Sequence, residues 1–257
     1  MTKFQTFWHG GPLPDFVALC LSSFLDHGDK IRLFSYRKVK VPFGVEVVDA
    51  SQILPESAVF YYKNEDGTDR SVAGFTNLFR YTLLGAQGGW WVDTDVLRLG
   101  GALPSEELYL GWEEPDLIGN AILRAPPQHE LILRAEDEAR SAGTDLVWAQ
   151  TGPRLITRLA SELGLLPLVK PLGIVYPTAG DEFALAATAD GFDHLVRVSA
   201  AAPFLHLWNE MFRLFWNDGL SSPEPGSFLA RKYKEHGTFR RRSWRAFVGA
   251  KRSLERA

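Results

Sequence analysis

Two aspartates one residue apart, Asp93-Thr94-Asp95, follow the run Gly88-Gly89-Trp90-Trp91-Val92. Carboxylates at i and i+2 project to one side while the chain stays extended. So close together they repel, and a divalent cation with oxygen ligands neutralises them. Such a cation also lets an anionic nucleoside diphosphate sit beside acids. In group transfer it stabilises the charge that grows on a departing diphosphate. A plain turn would equally explain an isolated Asp-x-Asp, because Asp and Thr favour turns. The apolar run in front weighs against that, since open α/β sheets place ligands at the C-terminal ends of buried strands.

Other residues offer chemistry with weaker signals. His206 ends the apolar stretch Phe204-Leu205-His206, where a core histidine and a metal ligand are equally good readings. As a ligand its nitrogen would favour Mn²⁺ over Mg²⁺. Trp8 precedes the Gly10-Gly11 turn and reads as a stacking platform for a flat ring, with core packing as the rival. Arg80 is a candidate site cation; a solvated ion pair is its bland alternative. Glu113, Glu114, Asp116, Gln150, Asp181 and Glu182 are loop candidates for a group on a substrate's reactive face, and the sequence does not choose among them. His129-Glu130 lacks the second histidine of a zinc-protease helix, and Gly85-Ala86-Gln87-Gly88 closes a helix rather than opening one. Neither a P-loop nor a nucleophile elbow is present.

Positioning these residues requires an α/β frame. Phe4 to Trp8, Ile31 to Tyr36 and Trp90 to Val92 read as strands, with a helix from Leu13 to Leu25 between the first two. That order predicts a parallel sheet. Ser71 to Ala86 predicts an amphipathic helix with Val72, Phe75, Phe79, Leu83 and Ala86 on its apolar face. Asn64 to Asp69 reads as a polar loop. Further strands are expected at Leu108 to Trp112, Ile118 to Leu123 and Phe204 to His206. Further helices are expected at His129 to Ser141, Arg154 to Leu163 and Trp208 to Trp216.

The 257 residues, 46% apolar and 23% charged, suit one sizeable α/β domain. A lone cysteine, Cys20, excludes an intrachain disulfide and reads as a buried small hydrophobe. There is no apolar run long enough for a membrane span and no signal-peptide core near the start, so a cytoplasmic protein is expected. Charge is uneven. From Arg231 to Arg256 ten Lys or Arg face two Glu, a net of +8; the total of −3 leaves −11 for the rest. Trp244, Phe247, Val248 and Leu254 among those cations suggest an interfacial helix on an anionic membrane, with a solvated tail as the alternative. The acidity of the remainder argues against nucleic acid. The expected layout is a domain over residues 1–221 and a basic helical tail over 222–257.

The stretch Arg80-Tyr81, then six residues, then Gly88-Gly89-Trp90-Trp91-Val92-Asp93-Thr94-Asp95-Val96 resembles the DXD-containing sugar-binding region of a group of glycosyltransferases. The group includes α-1,4-galactosyltransferases, initiating mannosyltransferases, capsular polysaccharide transferases and clostridial toxin glucosyltransferases. The resemblance runs from about Phe7 to Trp208 and is strongest from Asn77 to Val96. It implies a GT-A fold: a Rossmann-like, mostly parallel sheet flanked by helices. It also implies a usually retaining enzyme that uses a nucleotide sugar, UDP-linked by preference, and Mn²⁺ or Mg²⁺. Its acceptor would be a glycan or lipid-linked glycan in surface polysaccharide synthesis, met at the inner face of the membrane.

By that resemblance Trp8 stacks on the donor base, Arg80 contacts donor sugar or phosphate, and Asp93 lies nearer the ribose and sugar hydroxyls. Asp95 becomes the direct metal ligand, Asn120 faces the donor sugar, and His206 and Trp208 lie near the diphosphate. Asp93, Asp95 and Arg80 are then the catalytic set, and Asp93, Asp95 and His206 the metal set. One position departs: the family aspartate three residues before the arginine is Asn77 here. An amide donates as well as accepts, so a different set of sugar hydroxyls would be read. A catalytically silent nucleotide or carbohydrate binder is the rival reading. A basic-tailed interaction protein with a structural Asp-Thr-Asp turn is the third.

Overall fold

The computed structural model describes residues 2–63, 69–146, 149–216 and 219–237. The sheet begins with β1 (Lys3–Phe7), β2 (Lys30–Ser35) and β3 (Glu46–Asp49), with α1 (Asp15–Asp26) joining the first two. A small hairpin, β4 (Tyr62–Lys63) and β5 (Asp69–Ser71), leads into α2 (Ala73–Gln87) and then β6 (Gly89–Val92) and β7 (Val96–Arg98). The hairpin β8 (Trp112–Glu114) and β9 (Leu117–Ile118) precedes β10 (Ile122–Ala125), α3 (Glu130–Ser141) and α4 (Pro153–Glu162). The chain continues through α5 (Phe192–Val198), β11 (Phe204–His206), α6 (Asn209–Phe215) and α7 (Phe228–Lys232).

The main sheet has the order β10-β6-β1-β2-β3. All neighbours are parallel except the edge strand β10, which runs antiparallel to β6. This is the GT-A-like mixed α/β arrangement expected from the sequence. Both faces are covered, as a parallel sheet requires. Phe4, Ile31, Leu33 and Trp90 face one apolar cluster with α1, β7 and β11. Phe7, Phe34 and Trp91 face the other, with α2, α3 and α4. Adjacent Trp90 and Trp91 therefore serve opposite layers, as the strand's two-residue period dictates. Cys20 is buried and free, and burial pushes its thiol up.

Several local expectations need correction. Leu108 to Trp112 is largely irregular; Tyr109 and Gly111 make isolated bridges and the strand itself starts at Trp112. Ile118 to Leu123 is two strands, because Gly119-Asn120-Ala121 turns the chain between the hairpin and β10. Ala86 is exposed and Asp69 belongs to β5 rather than to a loop. Helix α2 buries more than an amphipathic stripe: Asn77, Arg80 and Tyr81 are covered along with its apolar face. Most of the expected polar loop, and Trp244, Phe247, Val248 and Leu254 of the expected interfacial helix, lie outside the described residues.

The link between α2 and β6 depends on Gly88. It caps the helix at φ +62°, and a Cβ there would stand 2.5 Å from the Pro127 nitrogen. Gly88→Ala is expected to cost about 2 kcal/mol or more. For a chain this long that lowers Tm by roughly 4–8 °C, measurable by thermal melting.

Candidate metal and donor site

Strand β6 runs buried to Val92 and then turns. The Asp93 N–H donates to the Ala121 carbonyl, and Val96 N–H donates back to the Asp93 carbonyl, so Thr94 and Asp95 form the tip of a tight turn. The two aspartates thus meet across a turn rather than along an extended strand. β7 leaves the turn and pairs antiparallel with β11, with Val96 opposite His206. Leu207 N–H closes the ladder on the Asp95 carbonyl at 2.9 Å. This register carries His206 to the turn.

Asp95 is nearly covered. Its Oδ2 accepts the Asn209 N–H at 2.8 Å and lies 3.3 Å from His206 Nε2. Burial opposes ionisation of Asp95, but the His206 imidazole and the Asn209 N–H outweigh it and hold the carboxyl below its usual range. Burial likewise opposes protonation of His206; Asp95 foremost, then Asp93 and Glu113, overcome it and raise the imidazole. Asp93, Asp95 and His206 each offer one ligand atom within 4.8 Å of the others. Opposite ligands of a small divalent ion stand about 4.2 Å apart, twice a bond of about 2.1 Å, so slight closure suffices. Two oxygens and an imidazole nitrogen suit Mn²⁺. The buried His206 Nδ1 has no hydrogen-bond partner, so the ring is not committed to a structural role through that atom.

The second half of the site is a polar network on α2. Arg80 is 2% exposed, and its guanidinium spans two acceptors: Asn77 Oδ1 at 2.5 Å and Asp93 Oδ1 at 2.6 Å. It also lies 4.8 Å over the Trp91 ring. Trp91 Nε1 donates to the same Asp93 oxygen at 2.6 Å. Asn77 Oδ1 accepts a second bond, from Asn120 Nδ2 at 3.0 Å, and Asn77 Nδ2 donates to Thr151 Oγ1 at 3.4 Å. Tyr81, one turn along from Asn77, donates to the Thr151 carbonyl and accepts from Asn120. A charge this enclosed is tolerable because it is paired and hydrogen-bonded.

Neither a family model nor a curated protein sequence matches the chain. Among solved structures, the PaToxG glycosyltransferase is similar with a TM-score of 0.47 at 11% identity, over 65% of this chain and 69% of that one. A transferase solved as a double cysteine-to-serine mutant gives 0.42 at 12% identity, over 65% and 87%. The glycosyltransferase GlyE of Streptococcus pneumoniae TIGR4 gives 0.41 at 11% identity, over 88% and 66%. At that identity and overlap the likeness assigns no chemistry to this chain.

The site therefore has to be read from its side chains. Asn77, Arg80, Asp93 and Asn120 form one connected network, and Asp93 is shared with the Asp95–His206 cluster. Trp208 follows closely: its ring centroid lies 4.3 Å from that of His206, its backbone is left-handed at φ 53°, and its buried Nε1 has no partner. A left-handed tryptophan is unusual and is held here between β11 and α6. Trp8 sits half-buried just past the C-terminal end of β1 and packs against the first apolar cluster; its Nε1 donates to the Gly11 carbonyl.

The structure adds three contributors to which the sequence assigned no role in the site. Thr151 and Tyr81 complete the Asn77 network; Tyr81 was legible as the i+4 neighbour of Asn77. Tyr176 comes from a proline-rich loop with no periodic signal. Its hydroxyl accepts the Ile122 N–H at 3.1 Å, and its ring flanks His206 and Trp208.

Proposed function

We propose that the chain is a metal-dependent glycosyltransferase that moves a hexose, with retention, from a nucleotide sugar to a glycan or glycolipid hydroxyl. The observation that carries this is the Asp93–Asp95–His206 cluster fused, through Asp93, to the buried Asn77–Arg80–Asn120 network. A cation held by the first would neutralise a diphosphate and the charge developing on it as it leaves. The second is a set of fixed donors and acceptors of the kind that orients sugar hydroxyls. The unpaired Trp208 Nε1 is a donor suited to a phosphate oxygen, and Trp8 offers a ring for a base, with UDP favoured. The resemblance noted in the sequence supports the same assignment and would place the work in surface polysaccharide synthesis at the cytoplasmic face of a membrane. Among the described residues no helix is long and apolar enough to cross a membrane. The basic segment 231–256 would then make peripheral contact with anionic lipid.

The test is incubation with UDP-glucose, UDP-galactose and UDP-N-acetylglucosamine in Mn²⁺, reading released UDP and the anomeric configuration of the product. Metal-dependent turnover is expected. Metal-dependent UDP binding without turnover would instead mark a silent binder, and no binding of either would sink both readings.

Asn77 bears on which donor is used. Asn77→Asp keeps the Oδ1 that Arg80 and Asn120 bond, and loses only the long donation to Thr151. Stability is expected to change by no more than about 1 kcal/mol. Relative rates across the donor panel are expected to shift, because an N–H available to a sugar oxygen is gone; an unchanged donor profile would show that Asn77 does not read the sugar.

A further inference from the structure

Large apolar side chains that stay in water are unevenly placed on this molecule. Among the described residues nine are exposed, and four of them, Leu166, Leu168, Leu172 and Ile174, fall within nine consecutive positions. Scattered singly, such residues need no explanation; a contiguous group marks a contact surface. Across residues 163–180 the only charged side chain is Lys170, and its ammonium is paired with the Glu106 carboxylate. The segment therefore presents aliphatic surface with no free charge.

The backbone that carries these side chains is fixed. A single helical turn, Leu166–Leu168, opens the loop. Val169 is buried in one apolar layer of the fold and Val175 in the other. Between them the Lys170 N–H donates to the Leu110 carbonyl at 2.8 Å, and the Lys170 carbonyl accepts from the Trp112 N–H at 3.1 Å. Both layers thus hold the loop, and Leu168, Leu172 and Ile174 are left 55%, 50% and 50% exposed.

The same backbone suits a medium without hydrogen-bonding partners. Pro167 and Pro171 have no N–H to satisfy. The N–H groups of Leu168, Val169, Lys170 and Ile174 bond within the chain, to the carbonyls of Leu165, Leu166, Leu110 and Pro171. Open amides are costly against hydrocarbon. A protein partner would supply acceptors to them; lipid cannot, and this loop leaves few to supply. Its place matters as well. Two residues after Ile174 comes Tyr176, whose ring lies 6.0 Å from that of His206 and 6.2 Å from that of Trp208. Two extended residues span about 7 Å, so the loop stands at the edge of the candidate metal site.

We propose that the loop over residues 166–174 inserts its aliphatic side chains into the surface of a lipid bilayer and so brings the candidate metal site to the headgroups. The basic segment 231–256 would reach lipid by charge; this loop reaches it by apolar burial. Its service to a lipid-borne acceptor rests on the transferase reading, whereas the insertion itself does not.

The experiment uses the full chain. Cys20 is buried, so a thiol reagent reaches only a cysteine placed at position 172. Leu172→Cys, labelled with a nitrobenzoxadiazole dye, is mixed with vesicles of phosphatidylcholine containing a minority of phosphatidylglycerol. The dye emission is expected to shift to the blue and to be quenched by nitroxide-bearing lipids. Leu168→Ser, Leu172→Ser and Ile174→Ser combined are expected to weaken vesicle affinity about 30-fold or more, from the apolar area of three half-exposed aliphatics. Exposed positions leave the fold intact, so Tm should stay within about 2 °C of wild type. The same loss is expected in about 0.5 M salt, where attraction between the basic segment and anionic lipid is screened. Vesicle binding with the dye still in water overturns the proposal, because another part of the chain then makes the contact. So does an unchanged affinity in the triple variant, or a wild type that binds no vesicle. A blue shift that needs no lipid and grows with protein concentration overturns it too, and assigns the loop to a second copy of the chain. No readout here involves donor turnover. A failed insertion therefore leaves the transferase reading standing, and a chain that binds no UDP leaves the insertion standing.

Discussion

Asp95→Ala is expected to abolish Mn²⁺-dependent UDP binding and to lower donor turnover by about 1,000-fold or more, the several kcal/mol that a metal supplies to a charged transition state. Asp95 is the centre of the cluster: it faces His206 at 3.3 Å and shares the turn with Asp93. The same carboxylate also caps the Asn209 N–H at 2.8 Å. Truncation leaves that N–H unpaired, at about 1–3 kcal/mol. Asp95→Asn separates the two effects. It preserves an oxygen for Asn209 and most of the stability, yet removes the charge that a cation needs. Calorimetric titration with Mn²⁺ and UDP, set beside thermal melts of both variants, makes the comparison. A Tm drop in Asp95→Ala with metal binding intact in Asp95→Asn would make the aspartate structural only.

Arg80→Ala is expected to be the most destabilising single change in the site. It removes the cation that pairs with Asp93, one of the two donors to Asn77 Oδ1, and the group over Trp91. Breaking an enclosed pair from one side costs about 3–5 kcal/mol; Asp93 retains 28% exposure, so the lower end applies. Arg80→Lys gives the more informative result. A single ammonium cannot reproduce the fork that holds Asn77 with one nitrogen and Asp93 with the other. The fold should survive while turnover falls by about 100-fold, since misplacing positioning groups by an ångström costs that much. Melting curves and released UDP report the two effects separately. Arg80→Lys with wild-type turnover would reduce Arg80 to a counter-ion.

The frame of the site was legible because it is local. The run Trp90-Trp91-Val92 is too apolar to be solvated, so β6 had to be buried and had to deliver Asp93 to an edge. Asn77 and Arg80, three apart on a helix, had to share a face. The hairpin around Glu113 was not legible, because the apolar run Leu108 to Trp112 reads as a strand of its own while pairing begins only at Trp112. The turn at Gly119-Asn120-Ala121 split an expected strand for a related reason. An apolar pattern does not show that a glycine is needed there to admit the Glu113 carboxylate and the Tyr176 phenol.

The sequence by itself determined that two aspartates end a buried strand and that an arginine precedes them on an amphipathic helix. Residue type and hydrophobic period operate over a few turns of chain, the resemblance is strongest over the same stretch, and they agreed. The resemblance had already named His206 as a metal ligand; only the tertiary structure decided how it arrives and what else joins the turn. His206 reaches Asp95 through the β7–β11 register, which also brings the N–H of Asn209, 114 positions along the chain, onto the same carboxylate. Tyr176 and Thr151 arrive from loops without periodicity. Glu113 is half-enclosed where Glu114, Asp116, Gln150 and Asp181 are exposed, because burial is a property of packing, and packing is fixed by contacts between residues far apart in the chain.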